Sequence, residues 1–137
     1  MKHAALVILV ACGHAATPAA PAASPPDKTV QVNAPGAVVD VAAILPAGYV
    51  TVVDFWSESC HACIGLGGLL AVGVAQEPRV VIRKIDVGDG FTPVAERYKI
   101  DALPHFFIYD KRKRLRYDLV GPDCVDAAKF AKQLAAE

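Results

Sequence analysis

Two cysteines separated by two residues are the part of the sequence best suited to chemistry. Cys60, His61, Ala62 and Cys63 follow a run of β-branched and aromatic residues and begin a segment that contains no proline. At a helix start, side chains three residues apart face the same way, so the two thiols can form a disulfide. The partial positive charge of that helix end favours the thiolate of Cys60, and His61 adds to this effect when protonated.

The elements around the cysteine pair are predicted to form a mixed sheet with helices on both faces. Strands are expected at 29–32, 49–56, 79–87, 105–109 and 115–120, and helices at 37–45, 60–76, 93–99 and 125–136. The order βαβαβαββα requires a parallel portion, and the last two strands form an antiparallel hairpin. The helix at 60–76 is disfavoured by Gly65, Gly67, Gly68 and Gly73, each of which costs about 1 kcal/mol relative to alanine.

The overall charge gives no reason to expect nucleic acid as a partner, because the formal net charge is +0 at pH 7. The local exception is a basic cluster made of Lys111, Arg112, Lys113 and Arg114, with Arg116 beyond it. A cluster at a hairpin tip is usually a solvated edge. An anionic partner or a lipid headgroup is the alternative.

The N-terminus has the layout of a lipoprotein signal. A lysine at position 2 precedes an apolar run at 4–11, and the segment that ends in Ala11 and Cys12 resembles the bacterial lipobox, in which the cysteine is acylated. We therefore expect a signal peptide at 1–11. It is shorter than the usual length of about 15 to 30 residues, so an ordinary signal or an upstream start codon is the alternative.

The organisation that follows from this N-terminus is a tethered domain. Residues 12–27 consist of the lipidated Cys12 and a segment rich in alanine and proline that cannot pack a core, and residues 28–137 form one folded domain. Acyl chains anchor a protein by burying methylene groups, so no spanning helix is needed. The sequence thus predicts a protein of the cell envelope that faces the periplasm and is lipid-anchored to a membrane.

Residues 53–63 resemble the active-site segment of thioredoxins. The matching features, in order, are Asp54 within the strand, Trp56 four residues before the first cysteine, the cysteine pair, Leu103 and Pro104 before a late strand, and Gly121 after the final strand. The likeness covers nearly everything after Lys28 and implies an α/β thioredoxin fold.

The resemblance implies a role for each matched residue. Cys60 would be the exposed nucleophile, Cys63 the buried resolving thiol, and Asp54 the proton acceptor for Cys63, because exchange proceeds through a mixed disulfide that a second thiol resolves. Burial is expected to raise the pKa of Asp54. A carboxylate satisfied by local hydrogen bonds is the alternative.

Substrate binding is assigned by the same resemblance to Trp56, Leu103 and Pro104. The family has a cis-proline that lies against the cysteine pair and leaves the preceding backbone free to pair with an extended substrate. We expect Pro104 to be cis, whereas an ordinary trans proline at a strand start is the alternative. His105, the next residue, either approaches the site or is a packed histidine.

Several residues depart from the family pattern. His61 and Ala62 replace Gly-Pro between the cysteines, and Ser59 replaces a tryptophan. The family's lysine beside the buried carboxylate aligns with Ile82, although Lys84 points to the same side of that strand. These departures are expected to change the acidity of the cysteines and the reduction potential.

The sequence therefore predicts a monomeric thiol–disulfide oxidoreductase that acts on protein disulfides and needs no cofactor or metal. It is expected to be a reductant or an electron-passing protein, because it is more like thioredoxin than the family's oxidising members, and a reductant in the envelope requires a membrane electron donor. Cys124 is expected to be a partly buried free thiol.

Two alternative functions belong to other classes. Cys60, His61 and Cys63 could bind a soft metal ion such as copper(I), but they are too few for a closed site. A thioredoxin-fold binding module without turnover is the second alternative, and the presence of both cysteines argues against it.

Overall fold

The computed structural model describes residues 24–137. The predicted signal peptide, Cys12 and most of the predicted tether lie outside the described residues. The elements are β1 (Thr29–Gln31), α1 (Val41–Ile44), β2 (Val50–Trp56), α2 (His61–Gly73), β3 (Val80–Asp86), α3 (Pro93–Tyr98), β4 (His105–Tyr109), β5 (Leu115–Val120), a short 3₁₀ helix (Gly121–Asp126) and α4 (Ala127–Ala136). No helix within this range is long and apolar enough to cross a bilayer.

The sheet has five strands in the order β1-β3-β2-β4-β5. The strands β1, β3 and β2 are parallel, and β4 and β5 are antiparallel to their neighbours. This arrangement confirms the predicted mixed sheet. Since β2 is the central strand and is covered on both faces, its residues from Val50 to Phe55 are all buried, as its continuous β-branched and aromatic composition predicts.

Each face of the sheet carries its own hydrophobic core, because alternate side chains of β2 point to opposite sides. Val50 and Val52 pack in the cluster that contains Leu70 of α2 and Ala131 of α4. The side chains of β2 that point to the other face, Val53 and Phe55, pack in a second cluster with α1 and α3. Asp54 lies two residues after Val52, so its side chain points to the same side of the sheet and faces α2.

The helix predicted at 37–45 is wrong over its first half, since only Val41–Ile44 is helical. The hydroxyl of Tyr98 donates to the carbonyl oxygen of Val39 at 2.7 Å and accepts from the backbone N–H of Val41 at 2.9 Å. A tertiary contact thus satisfies the backbone groups that a helix would have paired. The last predicted helix, at 125–136, is likewise divided between the 3₁₀ helix and α4.

Candidate active site

Cys60 and Cys63 form a disulfide at the start of α2, with an Sγ–Sγ distance of 2.13 Å, as predicted. Cys60 is the N-cap residue, and its Sγ accepts a hydrogen bond from the backbone N–H of Cys63 at 3.1 Å. Cys63 is only 2% exposed, whereas Cys60 is partly exposed. Cys60 is therefore the member of the pair that is more accessible to a partner molecule.

Asp54 is a buried carboxyl group, 1% exposed, whose Oδ1 has no hydrogen-bond partner among the described residues. Burial raises the pKa of Asp54 to about 7, while the ammonium group of Lys84 opposes the rise. The predicted direction of the pKa is confirmed. Local hydrogen bonds, the alternative, do not satisfy this carboxyl group within residues 24–137.

Gly67 lies on the face of α2 that covers Asp54. A Cβ atom built at Gly67 would lie 3.1 Å from Oδ2 of Asp54. Gly67 follows Cys63 by four residues, so the two share one face of α2. From the sequence, Gly67 was expected only to weaken the helix. The spacing from Cys63 was the signal that could have indicated its position.

Lys84, and not Ile82, is the lysine beside the buried carboxylate. The parallel register pairs Asp54 with Lys84, and Nζ of Lys84 lies 4.0 Å from Oδ2 of Asp54. Ile82 is instead part of the hydrophobic core. The expectation that this lysine is absent is therefore wrong, because spacing along β3 does not reveal which residue stands opposite Asp54.

Trp56 lies at the end of β2 and is held from two sides. Its Nε1 donates to Oε1 of Gln31 at 3.0 Å, and Nζ of Lys84 lies 4.1 Å from the ring centroid. The same ammonium group therefore lies close to both the carboxylate of Asp54 and the face of the Trp56 ring. A cation–π contact of this kind fixes the ring next to the cysteine loop.

The peptide bond between Leu103 and Pro104 is cis, as predicted. Leu103 lines one groove together with Cys60, Ser59 and Asp101. Pro104 is buried, and its carbonyl oxygen accepts from the backbone N–H of Gly121 at 2.8 Å. The groove brings the exposed cysteine and Leu103 together, while the binding of substrate by Trp56, Leu103 and Pro104 stays a prediction.

The two histidines near the site have different surroundings. His61 is the first residue of α2 and is exposed. His105 is buried, its Nε2 lies 2.6 Å from Oδ1 of Asp118, and its ring packs edge-on against Phe55 and Phe107. The packed-histidine interpretation of His105 is confirmed.

Cys124 is a free thiol that is more completely buried than expected. It is 2% exposed, its Sγ donates to the carbonyl oxygen of Leu119 at 3.3 Å, and burial raises its pKa to about 11. The neutral thiol form follows from this environment. Among residues 24–137, no group of three or more His, Cys, Asp and Glu side chains is arranged to hold a metal ion.

A family model for thioredoxin matches residues 41–136. Similar solved structures include a Fasciola hepatica thioredoxin, with 22% identity, a TM-score of 0.54, and coverage of 64% of this chain and 83% of that one. A reduced Schistosoma mansoni thioredoxin pre-protein has 22% identity, a TM-score of 0.61 and coverage of 79% and 99%. Oxidised mitochondrial thioredoxin 3 of Saccharomyces cerevisiae has 26% identity, a TM-score of 0.52 and coverage of 62% and 78%. No curated protein matches the chain.

Proposed function

Because the chain belongs to the thioredoxin family, we propose that it is a thiol–disulfide oxidoreductase that reduces protein disulfides, or passes electrons to them, in the cell envelope. The observation that carries the proposal is the unequal exposure of the cysteine pair. The partly exposed Cys60 caps α2 and is bonded to the buried Cys63, on the helix that covers Asp54.

The first step is an attack by the reduced Cys60. Its thiolate, favoured by the N-terminal end of α2, attacks one sulfur of the partner's disulfide. The partner's S–S bond breaks, a mixed disulfide forms with Cys60, and the other partner sulfur leaves as a thiolate that takes up a proton from solvent.

The second step releases the partner. Cys63 loses its proton to the carboxylate of Asp54, and its thiolate attacks the sulfur of Cys60. The mixed disulfide then breaks, and the second partner sulfur leaves as a thiolate that takes up a proton from solvent. The partner gains two electrons, and the Cys60–Cys63 disulfide is formed. A group with a pKa of about 7 suits this transfer, because Asp54 is part carboxylate and part acid near neutral pH.

Continued turnover requires an external dithiol donor to reduce the Cys60–Cys63 disulfide. We place this protein at a membrane through an acylated Cys12, on the strength of the lipobox-like segment and the alanine- and proline-rich composition of residues 12–27. A membrane electron donor is the source that such a location offers. Membrane fractionation of a Cys12→Ser form checks the anchor, and unchanged fractionation would contradict it.

Trapping of mixed disulfides tests the exchange itself. In a Cys124→Ala background, Cys63→Ser should accumulate mixed disulfides through Cys60, because the resolving thiol is missing. The matched Cys60→Ser variant should trap none, since the remaining thiol is buried. Equal trapping by both variants would contradict the assignment of the nucleophile.

The direction of exchange is measured separately. Equilibration of the Cys124→Ala protein against glutathione buffers gives the reduction potential of the pair. A value more reducing than glutathione supports a reductant, and a value more oxidising supports a protein that forms or shuffles disulfides.

A further inference from the structure

The two ends of the sheet carry different charges. We call the end at which β2 and β3 finish the site end, because Cys60 follows β2 there. We call the opposite end the hairpin end, because it holds the turn between β4 and β5. Register confirms the division, since Val50 at the start of β2 pairs with Val80, and Thr51 pairs with Tyr109 at the end of β4.

The site end is acidic. Residues 57–60, 87–92, 101–104 and 121–126 lie at this end, and within these described ranges no lysine or arginine occurs. The connection from α3 to β4 begins with Lys99, which is the C-cap residue of α3 and lies two residues before the third range. The acidic residues in the four ranges, all exposed, are Glu58, Asp89, Asp101, Asp123 and Asp126. Any anionic surface therefore repels the end of the molecule that carries Cys60.

The hairpin end is basic. Its connections, residues 24–28, 45–49, 74–79 and 110–114, contain the bases Lys28, Arg79, Lys111, Arg112, Lys113 and Arg114 and the acids Asp27, Glu77 and Asp110. The end of α4 adds Glu137 to the same end, where its carboxylate pairs with Arg116 at 3.0 Å. The total formal charge of the chain is zero, so the basic character of this end reflects segregation and not an excess of basic residues.

Not all of these cations are available to a partner. Arg114 pairs with the buried Asp110 at 2.7 Å, and Nζ of Lys111 donates to the carbonyl oxygen of Ala135 at 3.2 Å. Arg79, Arg112 and Lys113 are exposed and have no ion-pair partner among residues 24–137. These three side chains are positioned to meet an external anion.

Residues 24–28, where the described part of the chain begins, lie at the same end. The carbonyl oxygen of Lys28 accepts from the backbone N–H of Ile82, which places the segment that precedes β1 beside the start of β3. The described part of the chain therefore begins at the hairpin end, and this is the end nearest in sequence to the proposed acylation of Cys12.

We propose that the hairpin end binds an anionic phospholipid surface through Arg79, Arg112 and Lys113, and that Cys60 consequently faces away from the membrane. The seven residues of β2 separate the two ends by about 23 Å. At physiological ionic strength, charge interactions extend about 8 Å. The bases at the hairpin end then lie within reach of the headgroups while the site end lies outside it.

Vesicle binding by the full chain with Cys12→Ser tests the proposal, since no acyl group then contributes. The probes are vesicles of phosphatidylcholine alone and vesicles with about one third phosphatidylglycerol, each at salt concentrations of about 0.1 M and about 1 M. Neutral vesicles measure any contribution of the apolar run at 4–11. The expected result is additional sedimentation with the anionic vesicles that the higher salt abolishes.

Two double variants with equal charge changes separate a local surface from a general charge effect. Arg112→Gln with Lys113→Asn should weaken binding to the anionic vesicles about 25-fold, at about fivefold for each charge. The control, Lys99→Asn with Lys129→Gln, removes two exposed charges elsewhere and should leave binding unchanged. Lys99 and Lys113 both have positive φ, at 55° and 62°, and asparagine tolerates this conformation at both positions.

Three results would overturn the proposal. These are no preference for anionic vesicles, an equal loss of vesicle binding in the two double variants, and tighter binding to a short DNA duplex than to the vesicles.

Both double variants should keep full disulfide-exchange activity, so a failure of vesicle binding is distinguishable from a failure of the proposed chemistry. Cys60 of the reduced protein should also react equally fast with a charged alkylating reagent with and without vesicles.

Discussion

Nζ of Lys84 lies 4.0 Å from Oδ2 of Asp54, at the point where β2 and β3 are in parallel register. Even with this cation nearby, burial keeps the pKa of Asp54 raised to about 7. The ionised carboxylate is therefore a destabilising group in the folded protein at and above neutral pH, which is the pH range in which it could accept a proton from Cys63.

Replacing Asp54 should change how stability depends on pH. Its pKa is about 7 in the folded state against an ordinary value of 3.8, so the folded protein retains a proton that the unfolded chain releases. The free energy of unfolding should therefore fall as the pH rises from about 4 to about 7, and stay level above that. Asp54→Asn should remove this slope and stabilise the oxidised protein at pH 8 by up to about 4 kcal/mol. Urea unfolding of both proteins at pH 5 and pH 8 measures how the free energy of unfolding changes with pH. An equal change in the natural protein and in Asp54→Asn would refute the prediction.

Removing the lysine should have the opposite consequence. Lys84→Gln leaves the Asp54 carboxylate without its cation, so the pKa of Asp54 should rise further and stability should continue to fall beyond pH 7. Because the chain has a single tryptophan, loss of the ammonium group over Trp56 should also alter the emission spectrum. Lys129→Gln, on the exposed side of α4, is the control and should change neither property.

The glycines of α2 should respond differently to alanine. No atom lies within 4 Å of a Cβ at Gly68, so Gly68→Ala should stabilise the protein by about 1 kcal/mol through helix propensity. Gly67→Ala gains the same propensity but brings a methyl group to 3.1 Å from Oδ2 of Asp54. It should therefore stabilise less than Gly68→Ala, and it should shift the pH dependence of stability that is assigned to Asp54. If the free energy of unfolding depends on pH as it does in the natural protein, Gly67 does not influence Asp54.

Gly73→Ala is expected to be destabilising despite the same helical propensity. Its Cβ would lie 2.6 Å from Cβ of Ala128 in α4, which is closer than two carbon atoms can approach without a shift of the helices. The midpoint of thermal unfolding should fall relative to the natural protein, whereas Gly68→Ala raises it. A rise for both variants would show that the two helices separate easily.

Asp110 should make the protein sensitive to acid. Burial opposes ionisation, but hydrogen bonds from Arg114 and from the backbone N–H of Arg112 hold the pKa of Asp110 well below its usual range. A depressed pKa stabilises the folded state above about pH 4, and this contribution is lost as the pH falls below that value. Asp110→Asn should cost about 2 kcal/mol at pH 7, because the lost hydrogen bonds are charge-assisted while Arg114 is largely exposed, and it should weaken the dependence on acid pH. Asp123→Asn, at an exposed position, is the control in acid-unfolding measurements and should match the natural protein.

The strands could be predicted well because composition determines them locally. The hairpin strands at 105–109 and 115–120 agree with the structure, and the strand predicted at 49–56 differs from β2 by one residue. The cysteine pair and Asp54 were found for the same reason, since their spacing and apolar flanks are visible in the chain. The start of α1 was not, because a hydroxyl group distant in sequence pairs with its backbone.

The rest of the site depends on contacts between elements. The partnership of Lys84 with Asp54 follows from strand register, and the closeness of Gly67 to the same carboxyl group follows from how α2 crosses the sheet. Neither leaves a local pattern. The segregation of acids and bases between the two ends also requires the topology, because the charges come from connections that are far apart in sequence.

The central position of β2 has a consequence for the lifetime of the site. This strand is bonded to a neighbour on each side and is covered on both faces, so its amide hydrogens should exchange with solvent only on global unfolding. Asp54 belongs to that slowest-exchanging unit. Local opening at the cysteine loop can therefore expose Cys63 for a moment while the carboxyl group that receives its proton stays in place.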